Sequence, residues 1–156
     1  MTIAEIDQDV QDNIDKFGLT VRYVFSTTGD LPSFSYSIGL FKSYGHPEII
    51  MIGLKEQLGH TLINNMAFDI KKGGIFTPFI YQPDILDDFN CYFIEVAKGN
   101  YDEYVGGCQR YYAGDEFPLL QCIYPTVKGI YPWEDEWPED IKNLQPILGP
   151  LNYNLK

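Results

Sequence analysis

Large apolar side chains occupy every second position of residues 34–40, FSYSIGL, with small residues between them. This alternation predicts a β-strand with one buried face. A polar connection containing Gly and Pro follows at residues 43–47, and the apolar run IIMI at residues 49–52 predicts a strand buried on both faces. We expect these two strands to be neighbours in one sheet, because both are rich in residues that favour strands.

Three segments have the spacing of apolar residues that is typical of helices. Residues 2–17 begin with a capping box and end before a glycine. Residues 55–72 place apolar side chains on one face and end at two glycines, and we expect this helix to pack on the sheet. Residues 100–112 form the third predicted helix, although Gly106 and Gly107 lie in its middle.

The rest of the chain predicts more strands than helices. Strands are predicted at residues 20–25, 91–97 and 119–124, an edge strand or loop at 75–81, turns at 26–32 and 82–90, and an irregular tail rich in Pro and Trp at 125–156. Strands follow one another as often as they follow helices. The expected fold is therefore a single α+β domain over residues 1–156, with an antiparallel or mixed sheet and two to three helices.

Composition narrows the classes of function. The 156 residues carry a net charge of −11, and such a chain repels nucleic-acid phosphates and anionic lipid, so neither partner is expected. The first residues lack the basic and apolar regions of a signal peptide. Three cysteines without a CxxC spacing predict neither disulfides nor a zinc site, and together these features predict a cytoplasmic protein without a metal or cofactor.

Several short motifs resemble those of an uncharacterised bacterial domain family. The segments 36–40 (YSIGL), 45–49 (GHPEI) and 52–54 (IGL) resemble its opening signature, and LQCIYP, GIYPWE and QPIL in the second half resemble its closing pattern. The chain departs from that pattern at Ser37 (usually Thr), Tyr124 (usually Trp) and Thr126 (usually Asp). The family is one of unknown function, so the resemblance implies a region for the site and no activity.

His46 and Glu48 are the candidate catalytic residues. Pro47 favours an extended conformation at His46, which would place the imidazole and the Glu48 carboxylate on the same side. Such a pair can act as acid and base or bind a metal. The alternative is structural: His46 hydrogen-bonds a main-chain group of the connection, and Glu48 neutralises it. We prefer this alternative because a metal site needs further ligands, and the sequence offers none nearby.

Four further residues are candidates for ligand binding. Tyr36 and Ser37 project from opposite faces of one predicted strand, and Ser37 lies beside Gly39, where a ligand or another backbone segment can approach closely. Gln121 lies on the last predicted strand, and Trp133 in the tail is expected to be largely buried. Ser37, Gln121 and Trp133 are predicted to form a pocket with His46 and Glu48, and ordinary packing of the tail is the equal alternative.

Three functions remain open at this point. The preferred one is a cytoplasmic binding or interaction domain for a protein partner or a small molecule. The second is an enzyme, for instance a hydrolase, that uses His46 and Glu48. The third is an acidic inhibitor or immunity-like protein that binds a basic partner through the acidic residues 134–140.

Overall fold

A computed structural model of the protein describes residues 1–26 and 32–151. The described helices are α1 (Ile3–Phe17), α2 (Leu40–Tyr44), α3 (Glu56–Lys71), α4 (Tyr101–Tyr104) and α5 (Gly106–Tyr112). The strands are β1 (Thr20–Val24), β2 (Phe34–Ile38), β3 (Glu48–Ile52), β4 (Tyr81–Gln82), β5 (Cys91–Glu95) and β6 (Leu119–Ile123). The fold is α+β, as predicted, and the described residues form five α-helices in place of the expected two to three.

All six strands belong to one mixed sheet in the order β1-β2-β3-β6-β5-β4. Strands β3 and β6 run parallel, and the other neighbouring pairs run antiparallel. Tyr36 of β2 lies opposite Ile50 of β3, which confirms the prediction that these two strands are neighbours. Ile50 also pairs with Gln121 of β6, so β3 lies between two strands and is buried along its whole length.

Helix α3 covers one face of the sheet. Its side chains Leu62, Ile63 and Met66 lie in one core cluster with Ile49 and Met51 of β3. This packing confirms the predicted position of the helix. It is stabilised by the removal of apolar surface from water, at about 25 cal/mol per Å².

Helices α1, α4 and α5 cover the other face. Val10 and Ile14 of α1 share a second core cluster with Ile38 and Ile50. Helix α1 starts with the predicted capping box and ends at Gly18, whose left-handed φ of 90° allows its N–H to bond the last turn. The sheet is thus enclosed by helices on both faces.

The helix predicted at residues 100–112 is broken into α4 and α5. The break is at Val105, which has φ −122° and ψ 45°, outside the helical range. Gly107 then packs against β2, where its N–H donates to the Tyr36 hydroxyl at 3.1 Å. A Cβ at Gly107 would lie 2.6 Å from that oxygen. Gly107 therefore serves close packing, whereas a Cβ at Gly106 would meet only the Arg110 side chain, at 3.7 Å.

Helix α2 occupies residues that were predicted to form the end of a strand and the beginning of the polar connection after it. Gly39, with φ 118°, turns the chain out of β2, and a Cβ there would lie 2.7 Å from the Gly18 carbonyl oxygen. The close approach expected beside Ser37 is therefore made by the chain's own backbone. Glu48, seven to nine residues further along the chain, accepts hydrogen bonds from the N–H groups of this turn and thereby stabilises the start of the short helix.

Residues 125–151 contain no strand and one 3₁₀-helix, Glu139–Ile141. Residues 75–81 were predicted to be an edge strand or a loop, and residues 75–80 form a loop that leads into β4 (Tyr81–Gln82). Most of the predicted turn at residues 26–32 and the last five residues of the tail lie outside the described residues. Within residues 1–26 and 32–151, no helix is long and apolar enough to cross a membrane.

Candidate functional site

The side chain of Glu48 is fully buried at the start of β3 and receives hydrogen bonds from five donors. The donors are Ser37 Oγ (2.7 Å), Gly39 N (2.9 Å), Leu40 N (3.1 Å), Phe41 N (3.3 Å) and the Tyr112 hydroxyl. Three of them are N–H groups at the beginning of α2, which have no partner within the helix. Glu48 therefore joins β2, α2, β3 and α5 at one buried point.

The hydrogen bonds around Glu48 suit an ionised carboxylate. Burial is the largest influence on the pKa of Glu48 and raises it, whereas the bonds from Tyr112, Ser37, Gly39 and Phe41 lower it. Three of the five neighbours are N–H groups that can only donate, and the Ser37 and Tyr112 hydroxyls already accept from Ile49 N–H and Lys42 N–H, which favours their donating to the carboxylate. Burial and the Glu48 charge both raise the pKa of Tyr112, which keeps its hydroxyl protonated as a donor.

His46 lies two residues before Glu48 and faces a different part of the fold. Its ring is 5% exposed, its Nδ1 lies 2.8 Å from the Pro47 carbonyl oxygen, and its Nε2 accepts a hydrogen bond from Phe76 N–H at 3.0 Å. These partners require the neutral tautomer with the proton on Nδ1. Burial lowers the pKa of His46, which also favours the neutral ring. The predicted bond to a main-chain group of the connection is present.

The described structure has a large cleft at the end of the sheet where β5 finishes and β3 and β6 begin. Its volume is about 700 Å³. Its apolar wall consists of Pro47, Pro78, Pro118, Pro150, Val96, Ala97, Leu119, Leu120 and the rings of Tyr101 and Phe117. Its charged lining residues are Glu95, Lys98 and Glu116. A cleft of this size with few polar groups is typical of small-molecule sites.

Lys98 is held against the aromatic wall of the cleft. Its ammonium donates to the carbonyl oxygens of Asp115 and Phe117, the latter at 3.2 Å. It also lies 4.9 Å from the ring centroid of Tyr101, within the range of a cation–π contact. The Tyr101 hydroxyl donates to the Phe117 carbonyl at 2.9 Å, and burial and the nearby Asp115, Cys108 and Glu95 raise the pKa of Tyr101 to about 12.

A comparison with known protein families matches most of the residues that form the Glu48 cluster and the cleft. A family model described as domain of unknown function (DUF4262) matches residues 13–138. The chain belongs to the DUF4262 family. No curated protein and no solved structure matches it. The matched residues of this DUF4262 protein include Glu48, His46 and every residue of the cleft wall except Pro150.

The pocket predicted from the sequence is not assembled as one site in this DUF4262 protein. Ser37 does meet Glu48, and it also accepts a hydrogen bond from Ile49 N–H at 3.0 Å. Tyr36 is buried on the other face and accepts from Gly107 N–H. Ser37 and Glu48 have no exposed surface, so a ligand would reach them only after a structural change.

Gln121 and Trp133 hold the tail against the sheet. Buried Gln121 donates to the Pro146 carbonyl at 2.7 Å and accepts from Leu148 N–H at 2.9 Å. Trp133 is partly exposed, and not largely buried as expected, because its ring packs on Tyr92 at the surface of the sheet, with ring centroids 5.4 Å apart. Both side chains have the contacts expected from the alternative of tail packing.

Residues of the cleft were not predicted from the sequence. Lys98, Tyr101 and Phe117 belong to three separate segments, and no local motif links them. Only Pro47, in GHPEI, and Leu120, in LQCIYP, lay within motifs that were singled out. In the described part of the chain, His, Cys, Asp and Glu side chains do not gather in groups of three that could hold a metal ion.

Proposed function

We propose that this DUF4262 protein is a binding domain and that a small organic molecule with an apolar body occupies the cleft. The observation that carries the proposal is the cleft itself, about 700 Å³ in volume and lined mainly by proline, aliphatic and aromatic side chains. Sites for small organic ligands have this size and composition. The exposed Ala97 and Lys98 lie at its surface, so the cleft is open to solvent.

The cluster formed by Glu48 and its five donors has a structural role, and this supports a functional site in the cleft. A general acid or base must come within hydrogen-bond reach of its substrate. The Glu48 carboxylate is enclosed, its five donors belong to the protein, and both ring nitrogens of His46 are bonded to main chain. The cluster stabilises the turn from β2 to β3 and keeps Pro47 in its place on the cleft wall.

The proposal is tested by screening small organic fragments with amide NMR spectra of the whole chain. We expect bound fragments to shift the signals of Ala97, Lys98 and Leu119, which line the cleft. Ala97→Trp fills the cleft from an exposed position and should abolish these shifts. Ala4→Trp, on the exposed surface of α1, is the matched control and should retain them. Fragments that bind elsewhere, or that still bind Ala97→Trp, would contradict the proposal.

We further propose that the protein works in the bacterial cytoplasm and that the motifs around Tyr36 and His46 are part of the family signature. Three free, buried cysteines support a reducing compartment. The structural contacts of Glu48 and Gly39 give a physical reason for a short fixed motif in this turn. Fractionation of cells that produce the chain tests its location.

A further inference from the structure

More acidic than basic residues line the cleft. Two acidic residues, Glu95 and Glu116, and one basic residue, Lys98, line it, and all three residues are exposed. The ion pairs recorded in the described residues are Arg110 with Asp7 and Lys142 with Glu139, and neither cleft carboxylate belongs to them. Glu95 and Glu116 are therefore available to a ligand.

Lys98 is committed to the protein. Two of its three N–H donors bind the carbonyl oxygens of Asp115 and Phe117, and its charge lies against the rings of Tyr101 and Phe117. An anionic ligand would have to compete with these contacts. The net charge of −11 on the chain adds a negative potential that attracts cations and repels anions.

From this distribution we propose that the ligand of the cleft is an organic cation, with an ammonium or guanidinium group facing Glu95 and Glu116 and an apolar body on the proline and aromatic wall. The inference rests on the proposed binding function of the cleft and adds the charge of the ligand. Charge complementarity selects the cation, and apolar contact with Leu119, Phe117 and the prolines supplies the remaining affinity.

Three probes of similar size and different charge test the inference: phenethylammonium, 2-phenylethanol and 3-phenylpropionate. Each is titrated into the whole chain, and binding is followed by the amide signals of Ala97 and Leu119. We expect phenethylammonium to bind about three- to tenfold more tightly than the alcohol, the effect of one or two exposed ion pairs. The propionate should bind most weakly. Raising NaCl from about 0.05 M to about 0.5 M should weaken only the ammonium.

Variants assign the preference to the two carboxylates. Glu95→Gln and Glu116→Gln should each reduce the advantage of the ammonium over the alcohol, and the double variant should remove it. Glu136→Gln, an exposed carboxylate in the tail, is the control and should leave it unchanged. Equal binding of the three probes, or tightest binding of the propionate, would overturn the inference and leave the binding function intact. If the fragment screen also failed, both the inference about the charge of the ligand and the proposed binding function would be overturned.

Discussion

Replacement of Glu48 by Gln tests whether the buried carboxylate holds the turn from β2 to β3. Glutamine has the same shape, but one carboxylate oxygen becomes an NH₂ group that cannot accept a hydrogen bond. The two oxygens of Glu48 differ in their partners. Oε1 accepts from Ser37 and Leu40, whereas Oε2 accepts from Gly39, Phe41 and the Tyr112 hydroxyl.

The least costly arrangement places the NH₂ group at Oε1. The Leu40 N–H then loses its partner, which costs about 1–3 kcal/mol for a buried donor. The bonds kept at the other oxygen change from charged to neutral, and each loses up to about 1 kcal/mol. Burying a neutral amide in place of a carboxylate offsets part of this loss. We expect Glu48→Gln to lower the free energy of unfolding by about 2–4 kcal/mol, a large share of the 5–15 kcal/mol typical of a domain.

Urea unfolding at pH 7, followed by tryptophan fluorescence, measures this loss. Glu136→Gln removes an exposed carboxylate and should change the free energy of unfolding by less than about 0.5 kcal/mol. Tyr112→Phe removes one of the five donors and should destabilise less than Glu48→Gln does. If Glu48→Gln unfolds within about 0.5 kcal/mol of the unaltered chain, the argument that the ionised carboxylate organises this turn is wrong.

Three further predictions concern His46 and Trp133. His46→Ala removes the acceptor of the Phe76 N–H and should lower the free energy of unfolding by about 1–3 kcal/mol in urea melts, and a loss below about 0.5 kcal/mol would contradict a structural role. Because burial lowers the pKa of His46 below its ordinary 6.5, the unfolded chain binds the proton more readily than the folded chain does. The stability due to the neutral ring is therefore full above about pH 6.5 and is lost as pH falls towards the folded-state pKa. In melts from pH 7.5 to pH 5 the unaltered chain should lose stability faster than His46→Ala does, and equal slopes would refute this. Trp133→Ala should cost about 2–3 kcal/mol, less than the 3–5 kcal/mol of a full core deletion, because the ring is partly exposed on Tyr92, and an unchanged melting temperature would mean that the tail contributes nothing there.

Local patterns of the sequence were sufficient to predict most of the helices and strands. The alternation at residues 34–40 and the apolar run at 49–52 predicted β2 and β3, because burial of one or both faces dictates these patterns. The apolar face of α3 and the capping box of α1 act within a few turns of chain, so the sequence alone also located both helices. The sequence also singled out Ser37, His46 and Glu48, of which Ser37 and Glu48 share a hydrogen bond while His46 bonds main-chain groups elsewhere.

The tertiary structure alone decided what these polar residues contact. The Glu48 carboxylate is held by Tyr112, 64 residues away, and helix α2 depends on this carboxylate, so local periodicity contains no signal for either. The break at Val105 allows Gly107 to pack against Tyr36, a contact that spans 71 residues. The cleft likewise exists only where the ends of β3, β5 and β6 meet. The sequence therefore determined the helices and strands, since their burial patterns are local. The hydrogen-bond partners of the polar residues and the cleft followed from long-range packing, which brings distant side chains together.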